Sequence, residues 1–580
     1  MALRICLVTP FAWSQPHEVN EHVAGVGAGL RKLGHRVTVL APSNRGADLI
    51  AGRRALLAGT SPEVIALGPA LPISRRSRMG VPVGVRANLA LALAQGAFDV
   101  VHGFEPGLPS LSYLALRDAE ALTVATFFSP ERLGYPPGKA QRERLLSRTD
   151  VLLAVSEDAA QAAAERFPGE YQLVSAGVDV ELFAPREKRR SIVVEWQPVE
   201  RALTRAAIRM LAELPEWEVV LLREKPLSGR PYVPRALQRR VHVRTARDAP
   251  ARASLLGRAS VFVPALAGEA RLRLEAEASG CAVAAPAGVR EQPELAAAAM
   301  ARLAEDGALR ARAGAEARER AEAESYGVVA TTLDGVYSRL GRRRRPVERD
   351  GARGGILSDR AWIDADLHLH TAASHDCAIP VADLLDHAEG EGLGAIAITD
   401  HNVFAGALEA VELARGRRLT VIPGEEIKTD GQGEVIGLFL TSEIPRGMSF
   451  ADTIAAIRAQ GGLVYLPHPF DRRHAIPDPA TLHRHLADID VFEVYNARLL
   501  REPYNDEALR FARKYNLTMG AGSDAHVLPG VGTGVVRMRS FRTPEEFLIS
   551  LRSAEILRRP RSLAYLQTLK WAAQVKEMVR

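Results

Sequence analysis

Asp366-Leu367-His368-Leu369-His370, answered far downstream by Gly522-Ser523-Asp524-Ala525-His526, places metal-binding side chains at i and i+2 in both stretches. On a strand that spacing turns both side chains to one face. Between them lie Thr399-Asp400-His401, Gly424-Glu425-Glu426 and Pro467-His468-Pro469, following the apolar strand-like runs AIAIT, LTVIP and GLVYL. The chain has 15 histidines, and an isolated one is ordinarily a surface or satisfied core residue. Clusters that repeatedly mix neutral imidazole with carboxylate at strand ends read instead as a multinuclear metal hydrolase.

With its ordered motifs HxH, TDH, GxE, HP and SDAH, the stretch from Ala361 to about Pro560 resembles the PHP (polymerase and histidinol phosphatase) phosphoesterases. The resemblance implies a small, distorted β/α barrel holding three divalent ions at the C-terminal ends of its strands, where barrel enzymes keep their chemistry. It also implies a ligand set. His368, His370, Asp524 and Glu426 are expected on the first ion, Glu426 bridging two ions, His468 on the second, and Asp376, His401 and His526 on the third. The segment TAASHDCAIP carries one residue more than the family's common HTxxSDG form, so His375 is the alternative to Asp376. Where many relatives have a second-ion histidine, this chain reads Glu434-Val435-Ile436-Gly437-Leu438, which makes Glu434 a further candidate ligand. The extra carboxylate favours harder ions such as manganese or iron over zinc. Two or three divalent ions are expected as cofactors.

Clustered cations lower the pKa of a bridging water and clamp phosphoryl oxygens, so the resemblance implies phosphate-ester hydrolysis by metal-bound hydroxide. Glu426, Asp524 and His468 are its central catalytic set. Candidate phosphate-holding residues are Arg472, Arg473 and His474 after HPF, Lys428 after GEEI, and Arg498 after FEVYNA, each equally readable as a solvated loop cation. Arginine suits bidentate phosphate contacts, which ranks Arg472 and Arg473 first. Close relatives of the barrel include nucleoside bisphosphate phosphatases and 5′-to-3′ exonucleases, so a small nucleotide or short oligonucleotide is the expected substrate.

The first half alternates RICLVTP, VTVLAPS, FDVVHGFEP, ALTVATFF and TDVLLAVSE with helical segments, and a second such unit begins near SIVVEW. That alternation predicts doubly wound parallel sheets. RICLVTPF, LGHRVTVLAPS, GVDVELF and LEAEASG resemble a retaining GT-B glycosyltransferase of the phosphatidylinositol-mannosyltransferase type, over about the first 340 residues. The expected class is therefore α/β throughout: a GT-B double Rossmann-like half followed by a PHP barrel. The donor side departs from that family. Its Gly-Gly loop is represented by His17-Glu18, its Gly-Arg by Glu195-Trp196 with only Arg201 nearby, its TFH by Thr126-Phe127-Phe128, and its glutamate pair by Glu269 and Glu275 at a shortened spacing. Carboxylates where a pyrophosphate should sit argue against sugar transfer. Glu275 is also readable as a cap on the helix that follows it. The alternatives for the whole chain are a glycosyltransferase with an auxiliary PHP domain, or a non-catalytic sensor of a phosphorylated sugar or lipid.

The expected domains are 1–186 and 187–340 for the two Rossmann-like halves, 341–360 for a basic linker, 361–565 for the barrel and 566–580 for a C-terminal helix. With 580 residues, 47% of them hydrophobic, the chain is long enough for three cores. The net charge of +6 is scattered through helices and aromatics are only 6%, so no stable nucleic-acid complex is expected. The run Arg342 to Arg345 reads as a solvated linker able to approach an anionic membrane surface. The three cysteines, Cys6, Cys281 and Cys377, are spread over different expected domains and form no CxxC pair, which excludes a disulfide framework. Cys377 reads as a small packed residue beside the expected metal centre. No signal peptide or membrane-spanning run is legible, and a cytosolic protein able to make peripheral membrane contact is expected. Nothing in the sequence indicates the oligomeric state.

Overall fold

The computed structural model describes the chain except residues 1, 73–79, 108–109, 129–137, 198–200, 224–230, 266–269, 286–293, 346–354, 356, 474, 560–561, 563–567 and 569–580. Glu269, His474, much of the expected linker and nearly all of the expected C-terminal helix lie outside the described residues. The chain forms two compact units, Met1–Leu340 and Gly341–Arg580. Among the described residues no helix is long and apolar enough to cross a membrane.

The first unit contains two wholly parallel sheets. Its apolar runs become strands because both faces of each sheet are covered by helices, which explains their near-continuous hydrophobicity. One sheet has seven strands, in the order Val64–Ala66, Arg36–Ala41, Arg4–Val8, Val100–Phe104, Leu122–Phe127, Val151–Ala154 and Tyr171–Leu173. The other has five, with Ser191–Glu195 at its centre between Glu218–Arg223 and Val261–Val263. This is the double Rossmann-like arrangement of a GT-B fold.

The second unit is built on one nine-stranded sheet. Its order is Thr518–Gly522, Val491–Asn496, Leu463–Leu466, Glu434–Leu438, Thr420–Lys428, Ala395–Ile398, Trp362–Leu369, Gly534–Arg539 and Glu555–Arg558. Beyond Gly522 the chain returns to the strand Trp362–Leu369. The Asp524 N–H donates to the His368 carbonyl at 2.8 Å and the His370 N–H to the Ala525 carbonyl at 3.4 Å, which nearly closes the sheet into a barrel. Ala365 and Leu367 join an apolar cluster with Ala395, Ala397, Ile422, Tyr465 and Val491, while Asp366, His368 and His370 alternate to the other face. Strand Glu434–Leu438 runs antiparallel to both neighbours and pairs Lys428 with Glu434, so its first residue lies at the end where those neighbours carry site residues.

The basic run was expected to be solvated, and its last residue is not. Arg345 donates its backbone N–H to the Tyr515 carbonyl at 3.0 Å, and its guanidinium reaches the carbonyls of Leu486, Ile489 and Asp490. Five N–H donors let one arginine satisfy several carbonyls where the chain ends a helix and turns into a strand.

Closure depends on a missing side chain. A Cβ on Gly522 would stand 2.3 Å from the His368 Cβ and 3.0 Å from the His368 backbone nitrogen. Gly522→Ala is expected to lower unfolding free energy by about 1–3 kcal/mol, the usual cost of overpacking, and to displace His368. Gly390→Ala, in open space, should change little. Denaturant midpoints for both variants check this, and equal midpoints would refute it.

Candidate metal centre

Every histidine expected as a ligand comes from a strand end or the turn after it. His368 lies on the first strand and His370 just beyond it, His401 after Ala395–Ile398, Glu426 within Thr420–Lys428, His468 after Leu463–Leu466, and Asp524 and His526 after Thr518–Gly522. Strict alternation separates the two neighbouring glutamates. Glu426 turns to the cluster, whereas Glu425 accepts the Ile444 N–H at 2.8 Å, and burial lifts its carboxyl to about 7.

Glu426 is the hub. Its Oε2 lies 3.0 Å from His401 Nδ1, 3.3 Å from His368 Nε2 and 3.5 Å from His370 Nε2, and its Oε1 lies 3.1 Å from His468 Nε2. Asp524 Oδ1 is 3.4 Å from His370 Nε2 and 4.0 Å from His368 Nε2. His526 Nε2 is 2.9 Å from Asp376 Oδ2, and His401 Nε2 is 3.8 Å from Asp376 Oδ1. Asp376 thus reaches the cluster in spite of the extra residue in its loop, while His375 is exposed, its ring 5.6 Å from that of His401. Glu434 Oε2 stands 3.9 Å from His468 Nε2.

Four overlapping sets of ligand atoms have the spacing of an ion's coordination shell: His368, His370 and Asp524; His368, Glu426 and His468; His370, His401 and His526; and His401, Glu426 and Glu434. Only the first set keeps to one expected group: His370 was expected with the first ion rather than with His401 and His526, His368 with the first rather than with His468, and His401 with Asp376 and His526 rather than with Glu426 and Glu434. The donor set fits divalent ions. His370 Nε2 is buried and makes no hydrogen bond, although carboxylate oxygens from two residues face it. Buried polar atoms are normally paired, and a ring nitrogen aimed into a carboxylate-lined volume is arranged as a ligand.

Without ions, protons and one guanidinium balance the charge. Burial alone would raise the Glu426 carboxyl, but His368 and His401 outweigh it and hold Glu426 well below the usual range. Burial likewise works against charge on His401 and His468, and Glu426 outweighs it, lifting both to about 9. His370 goes the opposite way, held neutral first by burial and then by His526. Three non-glycine residues at the site have left-handed backbone, Asn402, His468 and Asp524, with φ of 55°, 22° and 51°. Such conformations persist only where surrounding bonds over-determine them.

Arg498 donates from Nη1 to Asp524 Oδ1 at 3.0 Å and to His526 Nε2 at 3.2 Å. This reverses the expected ranking of phosphate-holding residues. Arg472 turns towards Glu507, 4.0 Å away, and Arg473 is exposed, whereas the Arg498 guanidinium reaches the cluster itself. Sequence reasoning also passed over the supporting acids. Asp400 accepts from Thr371 N–H, Thr371 Oγ1 and Ser374 Oγ at 2.6, 2.7 and 2.8 Å. Asp366 accepts the Ser523 and Gly532 N–H groups at 2.9 and 3.0 Å. Glu493 is buried in the otherwise apolar strand VFEVYN, and a lone acid in such a run was its only signal.

In the first unit, the substituted donor-side residues are already engaged. His17 caps the helix Glu18–Lys32 by accepting the Val19 N–H, and Glu18 and Glu21 occupy the first turn, where an anion would otherwise be favoured. Glu195 accepts the Ala265 N–H at 3.1 Å. Glu275 caps no helix. It lies inside Ala270–Ala278, gripped by Arg252 through two bonds of 2.7 Å, and Arg252 also reaches Glu21 at 2.6 Å.

Family models match Glycosyltransferase Family 4 over residues 19–182, the PHP domain over 366–489 and a PHP-associated region over 502–556. The chain joins a glycosyltransferase family 4 region to a PHP domain. It is 35% identical over 209 residues to an uncharacterized protein of Methanocaldococcus jannaschii, covering 34% of this chain and 83% of the relative. Phosphatidyl-myo-inositol mannosyltransferase of Propionibacterium freudenreichii subsp. shermanii is 34% identical over 167 residues, covering 28% of this chain and 42% of that one. The chain therefore spans less than half of that relative. Among solved structures, sucrose-phosphate synthase from Thermosynechococcus elongatus has a TM-score of 0.41 at 17% identity, over 58% of this chain and 98% of that chain.

Imidazoles ligate only when neutral, and His401 and His468 keep their protons to about pH 9 while the PHP cluster is metal-free. Adding manganese to metal-free protein in weak buffer at about pH 7 should release protons, and retention should weaken as pH falls towards about 5. A pH electrode and elemental analysis after dialysis measure the two effects. Metal uptake without proton release would contradict this electrostatic account.

Proposed function

We propose that the PHP domain is a metal-dependent phosphoesterase acting on a nucleotide or short oligonucleotide, and that the glycosyltransferase-like unit does not transfer sugar. The observation that carries the reading is the convergence of His368, His370, His401, His468 and His526 on Glu426, Asp524 and Asp376, with an arginine at the margin. Divalent ions bound there would supply Lewis-acid chemistry, activating water and offsetting charge on phosphoryl oxygens. His368, His370, Glu426 and Asp524 would hold the first, His468 and Glu434 the second with Glu426 shared, and His401, His526 and Asp376 the third. The carboxylates among them favour manganese or iron.

The protein's own part is to bind and orient the ester. Arg498 combines donors inside the site with a partly exposed side chain, which suits it to clamp a phosphoryl group entering from solvent. Lys428, at the end of the strand Thr420–Lys428, and Arg472 and Arg473, in the loop after Leu463–Leu466, are exposed and offer charge for a second phosphate, as a bisphosphate or an oligonucleotide would need. The alternative of sugar transfer is disfavoured by Glu275. A carboxylate held bidentately by a buried arginine is not free to receive donor hydroxyls.

Manganese-dependent phosphate release by the full chain from nucleoside bisphosphates, short oligonucleotides and sugar phosphates tests the reading. His370→Ala should fall to background. Arg498→Ala should lose about 10- to 100-fold in kcat/KM, the scale of one hydrogen bond to a charged group. Glu275→Ala should retain full phosphate release. Absence of release from every substrate by metal-loaded protein would sink the proposal.

A further inference from the structure

Glu493 touches no substrate-facing surface, yet each of its oxygens is committed. It is buried in the strand Val491–Asn496. Its Oε1 receives the Tyr465 hydroxyl at 2.9 Å and faces His368 Nδ1 at 3.1 Å. Its Oε2 receives the His468 backbone N–H at 2.6 Å and the Asn496 side-chain amide at 3.1 Å. An ionised carboxylate only accepts, so the proton on the facing side of His368 must be on Nδ1.

We infer that Glu493 is a positioning residue for two metal ligands at once: it fixes the His368 tautomer that presents Nε2 to an ion, and it pins the backbone from which His468 reaches the same Glu426. The inference rests on the metal-centre reading above. His368 Nε2 lies on the opposite side of the ring from Glu493, 3.3 Å from Glu426 Oε2, so holding the proton on Nδ1 leaves the Nε2 lone pair for coordination. His468 has a positive φ of 22°, a conformation that costs about 1–3 kcal/mol and needs an external restraint. The short bond from its N–H to Glu493 supplies that restraint. Asn496, the fourth donor, also reaches Asp524 Oδ2 at 3.3 Å and ties the carboxylate to a third member of the cluster. Burial and the neighbouring Glu493 hold Tyr465 protonated, so it stays a donor.

Glu493→Gln keeps the size but brings an NH2 group among four donors. At least one contact must break, and the cheapest adjustment moves the His368 proton to Nε2. The full chain, metal-free wild type beside variants, is dialysed against limiting manganese, and bound metal is counted by elemental analysis. The expected result is manganese affinity weakened by about 10- to 100-fold in Glu493→Gln, the range for removing a partner behind a metal-bound histidine. Tyr465→Phe, which removes a donor but leaves both ligand contacts, should stay near wild type. In zinc-loaded wild type, long-range proton–nitrogen NMR should show His368 protonated at Nδ1 and coordinated through Nε2. That spectrum decides the matter even if Glu493→Gln does not fold. Unchanged manganese affinity in a folded Glu493→Gln, or a His368 proton on Nε2 in wild type, overturns the inference. Wild type that takes up no manganese or zinc would overturn the metal-centre reading itself.

Discussion

A carboxylate with no solvent exposure must be compensated by hydrogen-bond donors, by a proton or by positive charge, and for Glu426 of the PHP domain the compensation is a ring of imidazoles. Four imidazoles lie within 3.5 Å of its two oxygens, His368 and His370 from one strand end and His401 and His468 from two others. An uncompensated buried charge costs several kcal/mol, so Glu426 cannot be accommodated unless the strands bring those rings together. Conversely, the rings could not crowd so closely if all were charged, and burial keeps His370 neutral between its neighbours. The cluster is thus balanced, but by protons on His368, His401 and His468 and by Arg498, all of which a small dication can replace. Proton-filled and metal-filled states are alternative solutions to one electrostatic constraint.

The strand-end placement of the ligands was legible because it depends on a period of two, which is written directly in DLHLH and in the choice between Glu425 and Glu426. The parallel sheets of the first unit were legible for a similar reason: long apolar runs separated by helical stretches leave few other ways to cover both faces. What could not be read was anything set by contacts across the barrel. Arg498 reaches Asp524 across 26 positions and Glu493 reaches His368 across 125. A lone acid in a largely apolar strand was the one hint of Glu493, and no local pattern distinguishes Arg498 from an exposed cation such as Arg473. The docking of Arg345 escaped for the same reason, since a run of arginines looks solvated until the carbonyls of 486–490 are brought beside it.

The first unit meets the same constraint differently. Glu275 is as buried as the PHP carboxylates, but its compensation comes from Arg252, with Arg271 3.7 Å away and Glu21 closing the network. Guanidinium groups remain protonated at any physiological pH, and the bidentate pair engages both Glu275 oxygens with donors that no change of pH in that range removes. A carboxylate neutralised by arginine keeps its counter-charge at any physiological pH, whereas one neutralised by imidazole can exchange a proton for another cation. The two halves of the chain use these two solutions for acids that are similarly buried.

Exposure within the metal centre is graded, and the gradient carries its own consequence. His368, His370 and Glu426 have fully buried side chains, while His401, Glu434 and Asp376 are 15%, 18% and 23% exposed. Arg498 stands at this open edge. An ion held by the buried ligands must shed its water to enter and has neighbouring protein on every side, whereas one held by His401, His526 and Asp376 keeps a path to solvent. Under the proposed function, ligand exchange and ester binding would then share one edge. Because Arg498 donates to Asp524 and His526, an arriving ion would compete with it for those acceptors and a phosphoryl group would compete for its donors. Under the proposed function, phosphate entering with the metal would give the guanidinium a new acceptor as the ion takes its old ones.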